Sequence, residues 1–185
     1  MLRPLPSIRA SGLLVCLAAG LFAAPARIWL DVPFVRQQKQ GCGAAAIAML
    51  LRYWQGQGFS PRGETADPAS IQQALFSEEA RGIWGSDIER YLQSQGFKTF
   101  VFSGRWQDLR RHLQSGRPLM VCLDAAGPGG DRHYAVISGI DEQEGLVLLN
   151  DPARRKLTKV HREQFEREWT STRNWTLLAV PAPTR

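Results

Sequence analysis

The apolar positions of this chain change their spacing twice. Residues 42–54 carry Ala45, Ile47, Ala48, Met49, Leu50, Leu51 and Trp54, which surround most of a helix and predict one buried nearly all round. Before it, residues 28–35 predict a strand that runs into a polar loop at 36–41. After it comes a Gly- and Pro-rich loop over 56–68, then two short helices at 69–79 and 87–94, the second with Ser86 at its N-cap. From residue 97 the period shortens. Residues 97–102 predict a strand, 106–114 a helix, and 118–123 a nearly continuous apolar strand. Gly127-Pro128-Gly129-Gly130 marks a flexible loop. Residues 133–140 and 146–149 predict two strands joined by a turn at 141–145. A strand at 156–160, a helix at 162–169 and a last strand at 175–180 close the chain. No repeat is visible. Helices lead and a mostly antiparallel sheet follows, which is an α+β arrangement in one domain.

The first 26 residues separate from the rest. Arg3 and Arg9 precede 17 uncharged residues, 10–26, which end in Ala24-Pro25-Ala26. A positive start, a short apolar core and small residues before the break predict a secretory signal peptide. An uncleaved anchor is the alternative, since 17 residues sit at the lower edge of a bilayer span. A lipoprotein would use Cys16, but Val15 stands where a small residue belongs. The expectation is therefore an export segment at 1–26 and one domain at 27–185, placed in the periplasm or outside the cell.

Composition narrows the classes further. With 44% hydrophobic and 22% charged residues in a chain of 185, collagen-like, coiled-coil and wholly disordered readings are excluded. The net charge of +6 permits contact with nucleic acid or anionic lipid but argues for neither. Loss of Arg3 and Arg9 with the export segment would reduce it to +4, and no nucleic-acid partner is expected. Three cysteines, at 16, 42 and 122, are too few for a disulfide scaffold.

Cys42 is the thiol with a chemical context. It follows a Gln/Gly-rich loop and opens a helix, where the macrodipole and free N–H groups favour the thiolate. Three histidines compete to serve it as a base. His112, within Arg110-Arg111-His112, reads as a surface residue, and His161 as a capping or surface residue. His133 begins a strand directly after the glycine-rich loop, so a rigid element holds it. Asp151 ends the next strand, 18 residues on, where an antiparallel pair can set it beside His133 to orient the imidazole. Asn150 is the second choice for that role. Gln37, five residues before Cys42, could donate to an oxyanion together with the Cys42 N–H, with Gln38 and Gln40 as competitors. Cys122 lies in a mid-strand apolar run and reads as a buried, inert thiol pointing away from Cys42. Trp54, Trp84 and Trp106 are candidates for a peptide groove, although aromatic residues in such helices usually fill core. No spacing suits zinc, and no cofactor is implied.

Together, Asp31-Val32-Pro33-Phe34, Gln37, Gly41-Cys42-Gly43-Ala44-Ala45, His133-Tyr134 and Asn150-Asp151-Pro152 resemble the papain-like cysteine peptidases that process bacteriocin leaders, the double-glycine-leader peptidases. The resemblance covers nearly all of the chain from residue 28 to 180. It implies Cys42 as nucleophile, His133 as base, Asp151 as orienting acid and Gln37 for the oxyanion hole. It also implies a peptide or protein substrate, cleavage after Gly-Gly, and an export system as partner. The best-known members are domains of ATP-driven exporters, whereas these 185 residues hold no P-loop. A free-standing, exported, monomeric form is therefore expected. The same residues would also serve an amidase or transglutaminase-like acyl transferase. A leader-binding module without turnover is the non-enzymatic alternative.

Overall fold

The computed structural model describes residues 27–62, 66–124 and 132–183. Residues 1–26, where an export segment is expected, and the Gly127–Gly130 run lie outside the described residues. Helix α1, Cys42–Gly56, is the central support. Residues 43–51 are buried without interruption, as the all-round apolar pattern requires. Its alanines, at 44, 45, 46 and 48, have almost no exposed surface and let the helix lie close against the sheet. Helix α2, Pro68–Leu75, is capped by Asp67, whose carboxylate accepts from the Ser70 N–H at 2.9 Å, with Pro68 at the first helical position. It stops four residues before the expected end because Ser77 and Gly82 exchange backbone hydrogen bonds of 2.7 and 3.2 Å. That bridge draws residues 76–82 into a tight turn. Helix α3, Gly85–Ser94, begins at an N-cap formed by Trp84, not Ser86, and no side chain caps it.

Seven antiparallel-paired strands form one sheet: β1 Arg27–Trp29, β2 Phe97–Ser103, β3 Leu119–Leu123, β4 His133–Asp141, β5 Leu146–Asn150, β6 Thr158–His161 and β7 Trp175–Pro181. The order is β2-β7-β3-β4-β5-β6, with β1 paired to the far half of β4. Gly139 permits that pairing, since a Cβ there would lie 2.5 Å from the Ile28 carbonyl oxygen. The first strand is shorter than its apolar pattern predicts. Asn150 Nδ2 captures the Val32 carbonyl at 2.8 Å and Pro33 has no N–H to offer, so the chain leaves the sheet while Val32 and Val35 stay buried.

Helices α1–α3 pack on one face of the sheet, against Met120, Val136, Leu177 and Ala179. Helices α4, Trp106–Gln114, and α5, Arg162–Thr170, cover part of the other face, against Val121, Ala135, Ile137 and Leu178. The α+β expectation, with amino-terminal helices on a mostly antiparallel sheet, matches this arrangement. His112 departs from its expected surface position and is 9% exposed. It shares the inward stripe of α4 with Leu109 and Leu113, and its ring sits 6.2 Å from that of Phe102. His161 occupies the N-cap position of α5, exposed and making no capping hydrogen bond. None of the described helices is long and apolar enough to cross a membrane.

Candidate active site

The Gln38–Gly41 turn sets the start of α1. The Gly41 N–H donates to the Gln38 carbonyl at 3.0 Å, and Gln40 takes a left-handed φ of 55°. Glycine suits position 41, where a Cβ would stand 2.6 Å from Gln72 Oε1 and 3.1 Å from the Gln38 carbonyl oxygen and would crowd the turn. Cys42 is then the first helical residue and is half-buried. Its thiol meets the backbone N–H groups of Gly43 and Tyr134 and the side chain of His133.

His133 opens β4 and Asp151 follows β5, and the β4–β5 register, Val136 opposite Asn150, places the two side chains within reach. His133 Nε2 lies 2.7 Å from Asp151 Oδ1. That contact leaves the other ring nitrogen, Nδ1, to face the thiol. Asp151 Oδ1 also accepts from the Ala153 N–H at 3.0 Å, while Oδ2 faces Arg154 Nε at 3.4 Å. Three residues far apart in sequence thus form one line: thiol, imidazole, carboxylate.

The ionisation of the line is polarised in one direction. Burial pushes the Cys42 thiol up, but the His133 hydrogen bond, the Tyr134 N–H, the His133 charge and the Gly43 N–H outweigh it and bring the thiol below its ordinary value. Burial opposes the imidazolium of His133, yet the Asp151 carboxylate and Cys42 raise it to about 9. Burial likewise opposes ionisation of Asp151, and the His133 hydrogen bond and charge hold the carboxyl below its usual range. The set favours a thiolate beside an imidazolium, because each partner's charge lowers the thiol and raises the imidazole. Such a thiolate can attack an acyl carbon, and such an imidazolium can return a proton to a leaving group.

Burial separates the remaining candidates. Asn150 is committed to the scaffold: its Nδ2 holds the Val32 carbonyl at 2.8 Å and its Oδ1 accepts from the Leu157 N–H at 3.1 Å. Gln38 and Gln40 are exposed, whereas Gln37 is half-buried. The Gln37 N–H donates to the Pro152 carbonyl at 3.0 Å, which ties it to the loop that carries Asp151. Its side-chain Oε1 is buried and has no hydrogen-bond partner.

A cleft of about 150 Å³ opens beside Cys42. Gly82, Ile83, Trp84 and Gly85 form one wall, and Tyr134, Thr172 and Trp175 form the other. Of the three tryptophan candidates, only Trp84 lines it. Trp54 Nε1 donates to the Ala179 carbonyl at 3.1 Å, and Trp106 lies under the Arg162 guanidinium at 4.1 Å. Trp175 is a cleft residue that sequence reasoning missed. It stacks edge-on with Tyr134 at 5.4 Å and closes against Gly85, where a Cβ would stand 3.1 Å from its ring. The fit of Gly85 against this aromatic wall is a tertiary contact with no local signal. Cys122 is buried and pushed up to about 12 by that burial, as an inert thiol should be. Its side chain lines the same cleft as Cys42, however, because it pairs across the strand with Tyr134 on the α1 face. The two thiols are unbonded. Among the described residues no three His, Cys, Asp or Glu side chains gather as a metal site.

Comparison with known proteins places the chain in a family. Residues 29–177 match the model of the peptidase C39-like family. No curated protein sequence matches significantly. Among solved structures, a protein described as a C39-like peptidase from Bacillus anthracis shares 18% identity at a TM-score of 0.66, covering 85% of this chain and 99% of its own. A double glycine motif protease from an AMS/PCAT transporter, solved with a leader peptide, shares 18% identity at a TM-score of 0.63, with coverage of 83% and 94%. The peptidase domain of Streptococcus ComA, a bifunctional ABC transporter of a quorum-sensing pathway, shares 20% identity at a TM-score of 0.61, with coverage of 81% and 98%. At these identities the structures establish the papain-like fold, and the match over residues 29–177 establishes that the chain belongs to the C39-like peptidase family.

Proposed function

We propose that this protein is a cysteine endopeptidase in which Cys42 is the nucleophile, His133 the acid–base group, Asp151 the orienting carboxylate and Gln37 an oxyanion donor. The observation that carries the reading is the continuous line from Cys42 through His133 to Asp151, with the thiol lowered and the imidazole raised. The Cys42 thiolate forms a bond to the scissile carbonyl carbon, and the carbonyl oxygen takes the negative charge beside the Gln37 amide and the Cys42 N–H. Collapse breaks the C–N bond, and the leaving amine takes the proton of imidazolium His133. Water, deprotonated by His133, then attacks the thioester and releases the acid and the thiolate.

The substrate is a peptide that is cut after two glycines. Support comes from the narrow cleft, where Trp84 and Trp175 leave little room for side chains beside Cys42. It comes also from the fold shared with a double glycine motif protease solved in complex with a leader peptide. Residues 27–185 act as one exported domain, with residues 1–26 as the segment that directs export. The test is incubation of the purified protein with a peptide carrying an internal Gly-Gly and with its Ala-Ala counterpart, read by mass spectrometry. The expected result is cleavage after the second glycine, none of the Ala-Ala peptide, and none by Cys42→Ala. Binding of the Gly-Gly peptide without turnover, together with ordinary thiol reactivity at Cys42, would replace the peptidase with a leader-binding module.

A further inference from the structure

The face of the sheet opposite Cys42 carries a groove of about 670 Å³ between β2 and α4. Its floor is Phe100, Phe102 and Leu178, which share one face because Phe100 pairs with Leu178 across β2 and β7. Its other wall is basic: Arg105 at the N-cap of α4, Arg111 within the helix, and Arg117 after it. The groove exists because α4 and α5 lie over the middle of the sheet and leave β2, the strand at its end, uncovered on this side. Phe100 and Val101 are 43% and 41% exposed on that edge. Large apolar residues on an unprotected edge strand are what proteins ordinarily avoid, unless something pairs there.

The charges around the groove do not balance. Asp108 is the one carboxylate among the lining residues, and it is shared by Arg105 Nε at 3.2 Å and an Arg111 NH group at 3.1 Å. Those two arginine side chains remain 78% and 67% exposed, so each keeps donors for a further partner. Arg117 Nε is buried and has no hydrogen-bond partner, and neither has Nδ1 of the buried His112. Buried, unpaired polar atoms cost free energy that an arriving ligand can recover. Lys98 adds a further cation, 5.4 Å from the Phe100 ring centre.

We propose that this groove docks an acidic segment of a partner polypeptide, extended along the edge of β2, with carboxylates on the α4 arginines and apolar side chains over Phe100 and Phe102. An extended chain can take up the outer backbone groups of β2, while side chains on its inner face meet the aromatic floor. Net charge disfavours the two occupants nearest to hand. A second copy of this chain carries +6, and residues 1–26 carry Arg3 and Arg9 with no acidic residue. The site is independent of the peptidase reading, since it shares no residue with the cleft at Cys42.

The probe is a fluorescein-labelled decapeptide of alternating Glu and Phe, beside its Lys-for-Glu counterpart, followed by anisotropy with the purified Cys42→Ala protein. The acidic probe is expected to bind, to weaken as salt rises, and to protect the amides of residues 97–103 from hydrogen exchange. Arg111→Glu should weaken it roughly tenfold or more through charge reversal. Because Arg111 also holds Asp108, the exposed Phe100→Ser provides a second variant that leaves the fold's ion pairs intact and should weaken binding as well. Equal binding of the acidic and basic probes, protection at the Cys42 cleft instead of β2, or indifference to both substitutions would overturn the proposal. So would binding of anionic phosphatidylglycerol vesicles with no binding of the acidic probe, which would assign the groove to a lipid surface.

Discussion

Replacing Asp151 by Asn tests the ionisation argument at its pivot. Asn keeps the shape of the side chain and can still accept at one oxygen from His133 Nε2 and from the Ala153 N–H, at the 2.7 and 3.0 Å seen for the carboxylate. What it removes is the negative charge. Holding His133 at about 9, against an ordinary 6.5, corresponds to roughly 3 kcal/mol in favour of the imidazolium. Burial works against that preference, and the Asp151 hydrogen bond is the first contribution that supports it. In Asp151→Asn the carboxylate charge is gone and the neutral amide oxygen accepts more weakly. Burial is then opposed mainly by Cys42, so His133 falls and Cys42 loses the charge that keeps its thiol low. The wild-type ion pair exists above the lowered thiol pKa and below the raised imidazole pKa. Alkylation of the wild-type thiol by iodoacetamide should therefore already be fast below the ordinary thiol range, and kcat/KM should decline on the alkaline side near pH 9. The variant should show the acid limb of alkylation displaced upward and kcat/KM reduced roughly 10²–10⁴-fold on a Gly-Gly peptide. Superimposable alkylation profiles, with kcat/KM within about threefold of wild type, would refute the reasoning.

Two further substitutions probe the frame around that line. Gln37→Ala should lower kcat roughly 10²–10³-fold with KM little changed, because the amide is needed only when the oxyanion forms; a raised KM with intact kcat would make Gln37 a substrate-binding residue instead. Gly104→Ala would bring a Cβ within 2.6 Å of Thr176 Oγ1 and of the buried Trp169 ring. Such crowding costs about 1–3 kcal/mol, so Tm should fall by about 5 °C with the Cys42 alkylation profile unaltered. An unchanged Tm would show that the contact relaxes without strain.

The parts of the site legible in sequence are those with a local cause. Cys42 can be placed because a Gly-flanked residue that opens an apolar helix is visible within a short stretch of chain. His133 and Asp151 can be paired because two strands and a short turn between them imply an antiparallel hairpin. The choice of Asp151 over Asn150, and of Gln37 over its two neighbours, is not available there. It rests on which amide is already spent on the Val32 carbonyl, and on which glutamine is half-buried and tied by its N–H to the Pro152 carbonyl. His112 misleads for the same reason, since two preceding arginines suggest a solvated face while the helix turns that one residue inward.

By itself, then, the amino-acid sequence determined the succession of elements, the buried character of α1, and the thiol and imidazole that belong together, with the third group narrowed to Asp151 or Asn150. Periodicity, helix-start chemistry and strand spacing are short-range properties, and they survive without the fold. The tertiary structure alone decided where β1 leaves the sheet, that Cys122 shares the cleft of Cys42, that Trp175 closes it, and that a basic, aromatic groove stays open along β2. Each of these depends on partners far apart in the chain, such as Asn150 and Val32, 118 residues from one another. No local pattern encodes a contact whose two halves meet only when the sheet has closed.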